Sequence, residues 1–489
     1  MITPDAPDRQ YSTRLRTALV LTGTGTAGAY HAGVLRALHE AGVKIDLVAG
    51  RGAGVIGALF AAVDGGARLW EEKGLWRSRQ AATFYGWRGP LRVAGWALVA
   101  AGVLFAIPLA LLAVAVLVGV GGLLLTLVGL AGAGAMLTGG FGRWVQALFE
   151  PSALPTVVPR LVLFALVVGA GALGVGVIVD AIQARAKRRT RRGLLWRVVG
   201  APLSARRIVE RASIELWNLI RGAAPLAAPP PAELAKKYVE LLADNLGQPG
   251  FRELLVIVHD MDARRDLVFA LLGAAHRPRF LGRPGESEPA ARFVEVFDLA
   301  GVGRAHTMDV LSAALAFPVA TEPHLVTFAP EGPWRGETHR LCDRPGALSR
   351  LLEEVAAAGA EQVILLSASA PPSRAHELGA GRADLRGRAA EQVASYEAAD
   401  LRDATALFAG RFAGLFVVRP QHNPLGPLDF AGVYDERSDR IHSLGELTDR
   451  GYEDAYRQFI EPVVAVGGER IGPVHGATGS IGGTKTMEL

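Results

Sequence analysis

A chain of 489 residues with 50% hydrophobic content and a mean hydropathy of +0.26 is long enough for several domains and too apolar for an ordinary soluble enzyme, so part of it is expected in lipid. The formal charge of +5 and a pI near 9.5 do not indicate nucleic acid, because the basic residues gather beside an apolar segment rather than along an aromatic-studded surface. A single cysteine, Cys342, excludes an internal disulfide and fits a reducing compartment, and the polar residues after Met1 give no expectation of a cleaved export signal.

From the N-terminus, residues 17–21 form a short apolar run, 29–41 have helical periodicity, 45–49 make a second strand and 55–63 open another helix. Two glycine-rich turns therefore each join a strand to a helix. In the first, Gly23, Gly25 and Gly28 spell G-x-G-x-x-G, and backbone N–H groups at that helix start suit an oxyanion or a phosphate. A dinucleotide site asks for an acidic residue at the end of the next strand, whereas Asp46 comes near its beginning, which makes nucleotide binding the weaker reading. The second turn, Gly50-Arg51-Gly52-Ala53-Gly54, has the spacing of a G-x-S-x-G nucleophile elbow with glycine at its centre.

Two apolar stretches follow, residues 93–137 and 161–182, uncharged apart from Asp180 and each longer than the about 20 residues that cross a bilayer. Pro108 and the cluster Gly119, Gly121 and Gly122 offer places to bend or break the first. Length alone suggests three spans. The charges suggest an even number: Arg77, Arg79, Arg88 and Arg92 precede the first stretch, Arg185, Lys187, Arg188, Arg189, Arg191 and Arg192 follow the second, and few charges lie between. Residues 193–222 set Leu194, Leu195, Trp196, Val198, Ile208, Ile214, Trp217 and Ile220 among arginines, the pattern of a helix able to lie on anionic headgroups. A Pro/Ala-rich linker, 223–231, leads back to globular sequence.

The two turns together resemble those of the patatin-like phospholipase family, with an oxyanion loop written roughly G-G-G-x-R-G and then G-x-S-x-G at the distance found here between Gly23 and Gly52. The resemblance resumes after the linker. Residues 253–260 look like a central strand, 312–318 resemble an S-x-A-x-P-x-x-F-P region, Leu341-Cys342-Asp343 looks like the strand that delivers the family's aspartate, and 435–455, with Gly451-Tyr452, resemble the closing helix. It implies an α/β, patatin-like three-layer fold with a central mostly parallel sheet, interrupted by a transmembrane helical insertion. Strands on either side of the insertion would share one sheet, which again requires an even number of crossings.

In the family a serine attacks a lipid ester, an aspartate in D-G-G or D-G-A accepts its proton, and the glycine loop stabilises the oxyanion. Here the serine position is Gly52, the arginine of the oxyanion loop is Ala27, one of its glycines is Thr24, and Asp343 is followed by Arg344-Pro345. The site expected from the resemblance is therefore Asp343 and Gly52 with Gly23, Thr24, Gly25 and Gly28, without metal or cofactor and without its nucleophile. A second reading keeps hydrolysis through an unrecognised nucleophile among Thr22, Thr24 and Thr26 with His31 as base; helix capping and a surface histidine account for the same residues. His259-Asp260 ends an apolar strand, a place that in such sheets points into the site, but with no metal partner at recognisable spacing a structural hydrogen bond suffices, and Gly479-Ser480-Ile481-Gly482 reads as tail.

These readings divide the chain into residues 1–88 and 232–465, the two parts of the patatin-like domain; 89–192, the transmembrane insertion; 193–231, the basic helix and linker; and 466–489, a flexible tail. They predict an integral protein of the inner or plasma membrane with its α/β domain in the cytoplasm, lipid-related and impaired as a phospholipase or acyl hydrolase. Its expected partners are membrane lipids at an anionic phospholipid surface, with room for a protein partner and none for nucleic acid.

Overall fold

The structure is a computed structural model that describes residues 11–148, 154–187, 200–282, 292–332, 334–371, 385–421, 425–435 and 438–464. The basic run after Lys187, the start of the 193–222 segment, and the tail with Gly479-Ser480-Ile481-Gly482 lie outside the described residues. The chain forms two compact units, one of Met1–Phe84, Arg206–Pro318 and Pro323–Leu489, the other of Tyr85–Ala205 and Val319–Glu322. Along the chain the strands are β1 (Thr17–Leu21), β2 (Leu47–Gly50), β3 (Gly86–Trp87), β4 (Leu203–Ser204), β5 (Glu253–Asp260), β6 (Arg265–Leu271), β7 (Val294–Asp298), β8 (His324–Thr327), β9 (Thr338–Cys342), β10 (Gln362–Leu366), β11 (Gly414–Val418), β12 (Val433–Asp435) and β13 (Arg440–His442). The first six helices are α1 (Ala27–Glu40), α2 (Gly54–Ala62), α3 (Ala67–Trp70), α4 (Gly89–Leu127), α5 (Ala131–Leu148) and α6 (Leu154–Lys187).

The first unit is mixed α/β, built on a sheet of order β11-β10-β1-β2-β5-β6-β7, with β9 joined to β5 and β8 to β9. From β11 to β5 every pairing is parallel, and β5 turns back antiparallel onto β6. The parallel strands are continuous apolar runs, such as the LVAG of β2 and QVILL of β10, because helices cover both of their faces. One face carries Ala18, Val20, Ala49 and Leu255 against Leu351, Leu352 and Val355 of the helix Leu348–Ala357 and Leu401, Ala404 and Phe408 of the helix Leu385–Phe408. Alternation turns Leu19 and Leu21 to the other face, where α2 approaches so closely that a Cβ on Gly54 would strike the Leu21 carbonyl. Here α1 is sandwiched by the closing helix Leu444–Ala455: Gly33 lies on Thr448, and Gly451 on Tyr30. Ser443 and Glu446 start that helix with a reciprocal capping box.

The pairing expected across the insertion is present: Leu47, Val48, Ala49 and Gly50 of β2 register with Glu253, Leu254, Leu255 and Val256 of β5. The segment read as an interfacial helix departs from expectation. Its described helical part, Arg206–Arg221, belongs to the α/β unit, and Ile208, Ala212, Leu216 and Trp217 are buried. Those four residues are committed to the protein core, while Ile214 on the same helix stands exposed.

The second unit is a helical array. α4 and the stretch Val158–Val179 within α6 are long and apolar enough to cross a membrane. At 39 residues α4 measures about 58 Å, well beyond the about 30 Å of hydrocarbon. It runs unbroken through Pro108 and the glycine cluster and ends instead at Gly129, whose φ of +85° reverses the chain into α5. Small residues set the packing: Ala94 and Ala97 of α4 meet Gly169 of α6, and Gly122 of α4 meets Thr138 and Gly134 of α5. Outward stand Leu98, Val99, Phe105, Leu109, Leu112 and Leu117, all exposed, a continuous apolar surface unsuited to water.

Candidate functional site

The two glycine turns lie side by side at the carboxyl ends of β1 and β2. Arg51 donates its backbone N–H to the Leu21 carbonyl at 3.1 Å, and Ala53 donates to the Gly23 carbonyl at 2.9 Å. Gly52 takes φ +55°, the left-handed conformation of a sharp strand-to-helix elbow. A Cβ placed on it would strike the Gly23 carbonyl oxygen and stand 2.9 Å from Asp343 Oδ2. Asp343 follows β9 directly, and its N–H is held by the Ala316 carbonyl at 3.0 Å, within the 312–318 region singled out in the sequence. The structure thus brings Gly23, Thr24, Gly52 and Asp343 to one place.

That place is filled by Arg51. Its Nη1 is 3.0 Å from both Asp343 oxygens, and its Nη2 donates to Glu397 Oε1 at 2.5 Å, from the helix Leu385–Phe408. Thr24 Oγ1 completes the ring, 3.1 Å from Asp343 Oδ2 and 3.0 Å from Glu397 Oε1. The Arg51 and Asp343 side chains are 2% and 1% exposed. Burial works against the Arg51 charge, but Asp343 first and Glu397 next outweigh it and hold the guanidinium above its ordinary pKa.

The glycine loop is covered as well. Thr26 donates its backbone N–H to the Pro427 carbonyl at 3.3 Å and its hydroxyl to the Gly426 carbonyl at 2.5 Å. A Cβ on Gly25 would strike the same Pro427 carbonyl, and one on Gly28 the Trp76 ring. A donor that an oxyanion or a diphosphate would need is thus bonded to the protein's own chain.

The threonine and histidine pairing is not formed. Thr22 Oγ1 donates to the Leu366 carbonyl at 2.9 Å, and the other two hydroxyls have the partners just described. His31, expected at the surface, is fully buried. Burial above all lowers its pKa to about 3, Arg51 adds repulsion, and a backbone contact to Thr22 opposes both. Cys342 is no substitute nucleophile, because burial pushes its thiol up to about 12. His259 bonds Asp266 at 2.8 Å, beside the ion pair of Asp266 with Arg344. Asp260 caps the turn to β6 and holds His339 at 2.5 Å, so these residues tie strands together. Among the described residues no group of three or more His, Cys, Asp or Glu is placed to hold a metal ion.

Arg51, Glu397 and Pro427 were missed in the sequence. Arg51 carried a signal, a cation next to Gly52, the position at which the resemblance expects a serine. Glu397 carried none, being one of four acidic residues on a polar helix.

The sheet and its paired turns define an α/β protein with a central, mostly parallel sheet and glycine at the centre of its second strand-to-helix turn. No family model matches the chain. A stretch of 66 residues is 48% identical to Patatin-like phospholipase domain-containing protein 6 of Mus musculus, and equally to that of Homo sapiens. The match takes in 13% of this chain and only 4% of the length of each relative. Among solved structures, VipD from Legionella pneumophila aligns over 94% of this chain and 67% of its own, at 12% identity and a TM-score of 0.31, too low to establish a common fold.

Proposed function

We propose that the chain is a membrane-anchored, lipid-related protein whose patatin-like α/β domain has a hydrolytic site closed by its own side chains. The observation that carries this reading is the buried ring of Arg51, Asp343, Glu397 and Thr24 at Gly52. A patatin-like site needs a hydroxyl at residue 52 and a free aspartate beside it. Here the first is absent, and both oxygens of the second accept from one guanidinium. Loss of a nucleophile alone removes a factor of about 10⁶ where it has been measured. Lipid as the ligand class is supported by the local likeness to patatin-like phospholipase domain proteins and by the exposed apolar helices. The α/β unit would face the cytoplasm at an inner or plasma membrane, with an acyl chain, a headgroup or a protein partner bound.

The full chain in detergent is expected to resist a fluorophosphonate probe and to leave p-nitrophenyl butyrate and phospholipid unhydrolysed. Gly52→Ser is expected to remain inactive, because its Cβ meets Gly23 and its base is engaged. Turnover by the native chain that Asp343→Asn abolishes would sink the proposal.

Thr24 supports a second reading, hydrolysis with a substitute nucleophile, because its hydroxyl lies 3.1 Å from Asp343 Oδ2. That reading requires native turnover lost in Thr24→Val and retained in Thr22→Val and Thr26→Val.

A further inference from the structure

Val319 is 92% exposed and has φ +68°. The left-handed region is a genuine outlier for a β-branched residue and a source of backbone strain. The other non-glycine residues described there, Asp64, Arg264, Arg335 and Asp439, are polar or charged. Strain is ordinarily offset by what the conformation buries, and Val319 buries almost nothing within the protein.

Its surroundings supply the missing term. Residues 319–322 belong to the helical unit. The Ala320 carbonyl accepts from Leu203 N–H at 2.8 Å, Thr321 bridges Leu203, and Leu203 pairs with Trp87, which forms a short ribbon. Arg88 ties the ribbon to the 319–322 segment, donating its N–H to the Pro202 carbonyl at 3.0 Å and reaching Glu322 at 3.3 Å. Trp87 is 63% exposed. One residue after Arg88, α4 begins, with Arg92 exposed in its first turns. An exposed aliphatic tip, an exposed tryptophan and arginines at the foot of an apolar helix are the composition of a membrane–water boundary.

We propose that Val319 and Trp87 form a wedge that enters the headgroup–acyl boundary of the bilayer and fixes the depth of α4. The wedge rests on the membrane-anchored reading above. Burial of the valine in lipid offsets the backbone strain that the fold leaves uncompensated, and the ribbon transmits that anchoring to the start of α4.

The native thiol, Cys342, is buried, so single cysteines can be labelled against a low background. Val319→Cys, Leu109→Cys in α4 and Arg402→Cys on the α/β unit would each carry the environment-sensitive fluorophore NBD, in the full chain in vesicles of phosphatidylcholine with phosphatidylglycerol. The expected result at 319 is blue-shifted emission, quenching by lipid with a shallow doxyl group, and protection from aqueous iodide. At 109 a deep doxyl lipid should quench, and at 402 iodide should. Iodide quenching at 319 with lipid quenching at 109 overturns the wedge and leaves the membrane anchor standing. Iodide quenching at 109 overturns both. Val319→Gly supplies a check independent of labelling: relief of the left-handed strain should raise Tm in detergent, while NBD at Trp87→Cys in the same background should become more accessible to iodide. An unchanged Tm or unchanged accessibility counts against the proposal.

Discussion

Arg51 carries one positive charge between the carboxylates of Asp343 and Glu397, in surroundings closed to water. Removing the arginine leaves two buried anions without a counter-charge, so Arg51→Met is expected to destabilise the α/β unit by about 3–5 kcal/mol. Chemical denaturation in detergent would measure this, and adding Asp343→Asn and Glu397→Gln should recover much of the loss. An Arg51→Met protein as stable as the native one would contradict the network. His31 makes a prediction in pH. The unfolded ring takes up its proton near the ordinary pKa of about 6.5, whereas the folded ring resists until about 3. As pH falls through that window the unfolded state binds the extra proton, and stability drops by at most about 1.4 kcal/mol per pH unit from this one group. His31→Phe should flatten the acid limb of the stability profile, and parallel profiles for the two proteins would refute the assignment.

Between elements, glycines set how closely helices and strands approach. A Cβ on Gly451 would strike the Tyr30 carbonyl, so Gly451→Ala should cost about 1–3 kcal/mol through overpacking, while Gly410→Ala, with open space at its Cβ, should change stability little. Equal Tm values for the two variants would argue against this packing. The strands and turns around this contact were legible in the sequence because they rest on local pattern: the apolar run at residues 17–21, the strand at 45–49, and glycine where the chain must turn. Three features were not legible. The amphipathic stripe of Arg206–Arg221 has the same periodicity whether its apolar face meets lipid or protein, and only the packing of Ile208 and Trp217 decides it. Pro108 offers a place to break α4, yet a helix in an apolar setting tolerates proline, and the chain reverses instead at the positive φ of Gly129. The closeness of Gly52 and Asp343 was legible through a spacing that resembles the patatin-like pattern. The ring that closes them was not, because Glu397 comes from a helix whose contact with Arg51 depends on tertiary structure.

At the scale of the molecule, one sheet is assembled from strands on both sides of the helical insertion. Such a sheet cannot be divided by a bilayer, so Arg14→Cys and Arg402→Cys, both exposed on the α/β unit, are expected to react with a membrane-impermeant maleimide from the same side. Labelling from opposite sides would rule out an even number of crossings. The same pairing imposes an order on biosynthesis. Thr17 of β1 meets Gln362 of β10 across 345 residues, which at about 5–20 residues per second takes the ribosome roughly 20–70 s to make. Through that interval one edge of β1 stays open, while the outer edge of β2 waits only until residues 253–256 of β5 are made. The nascent chain therefore needs shelter at its N-terminus, and a lesion confined to the apolar helices would first be seen as aggregation of an α/β domain whose own residues are intact.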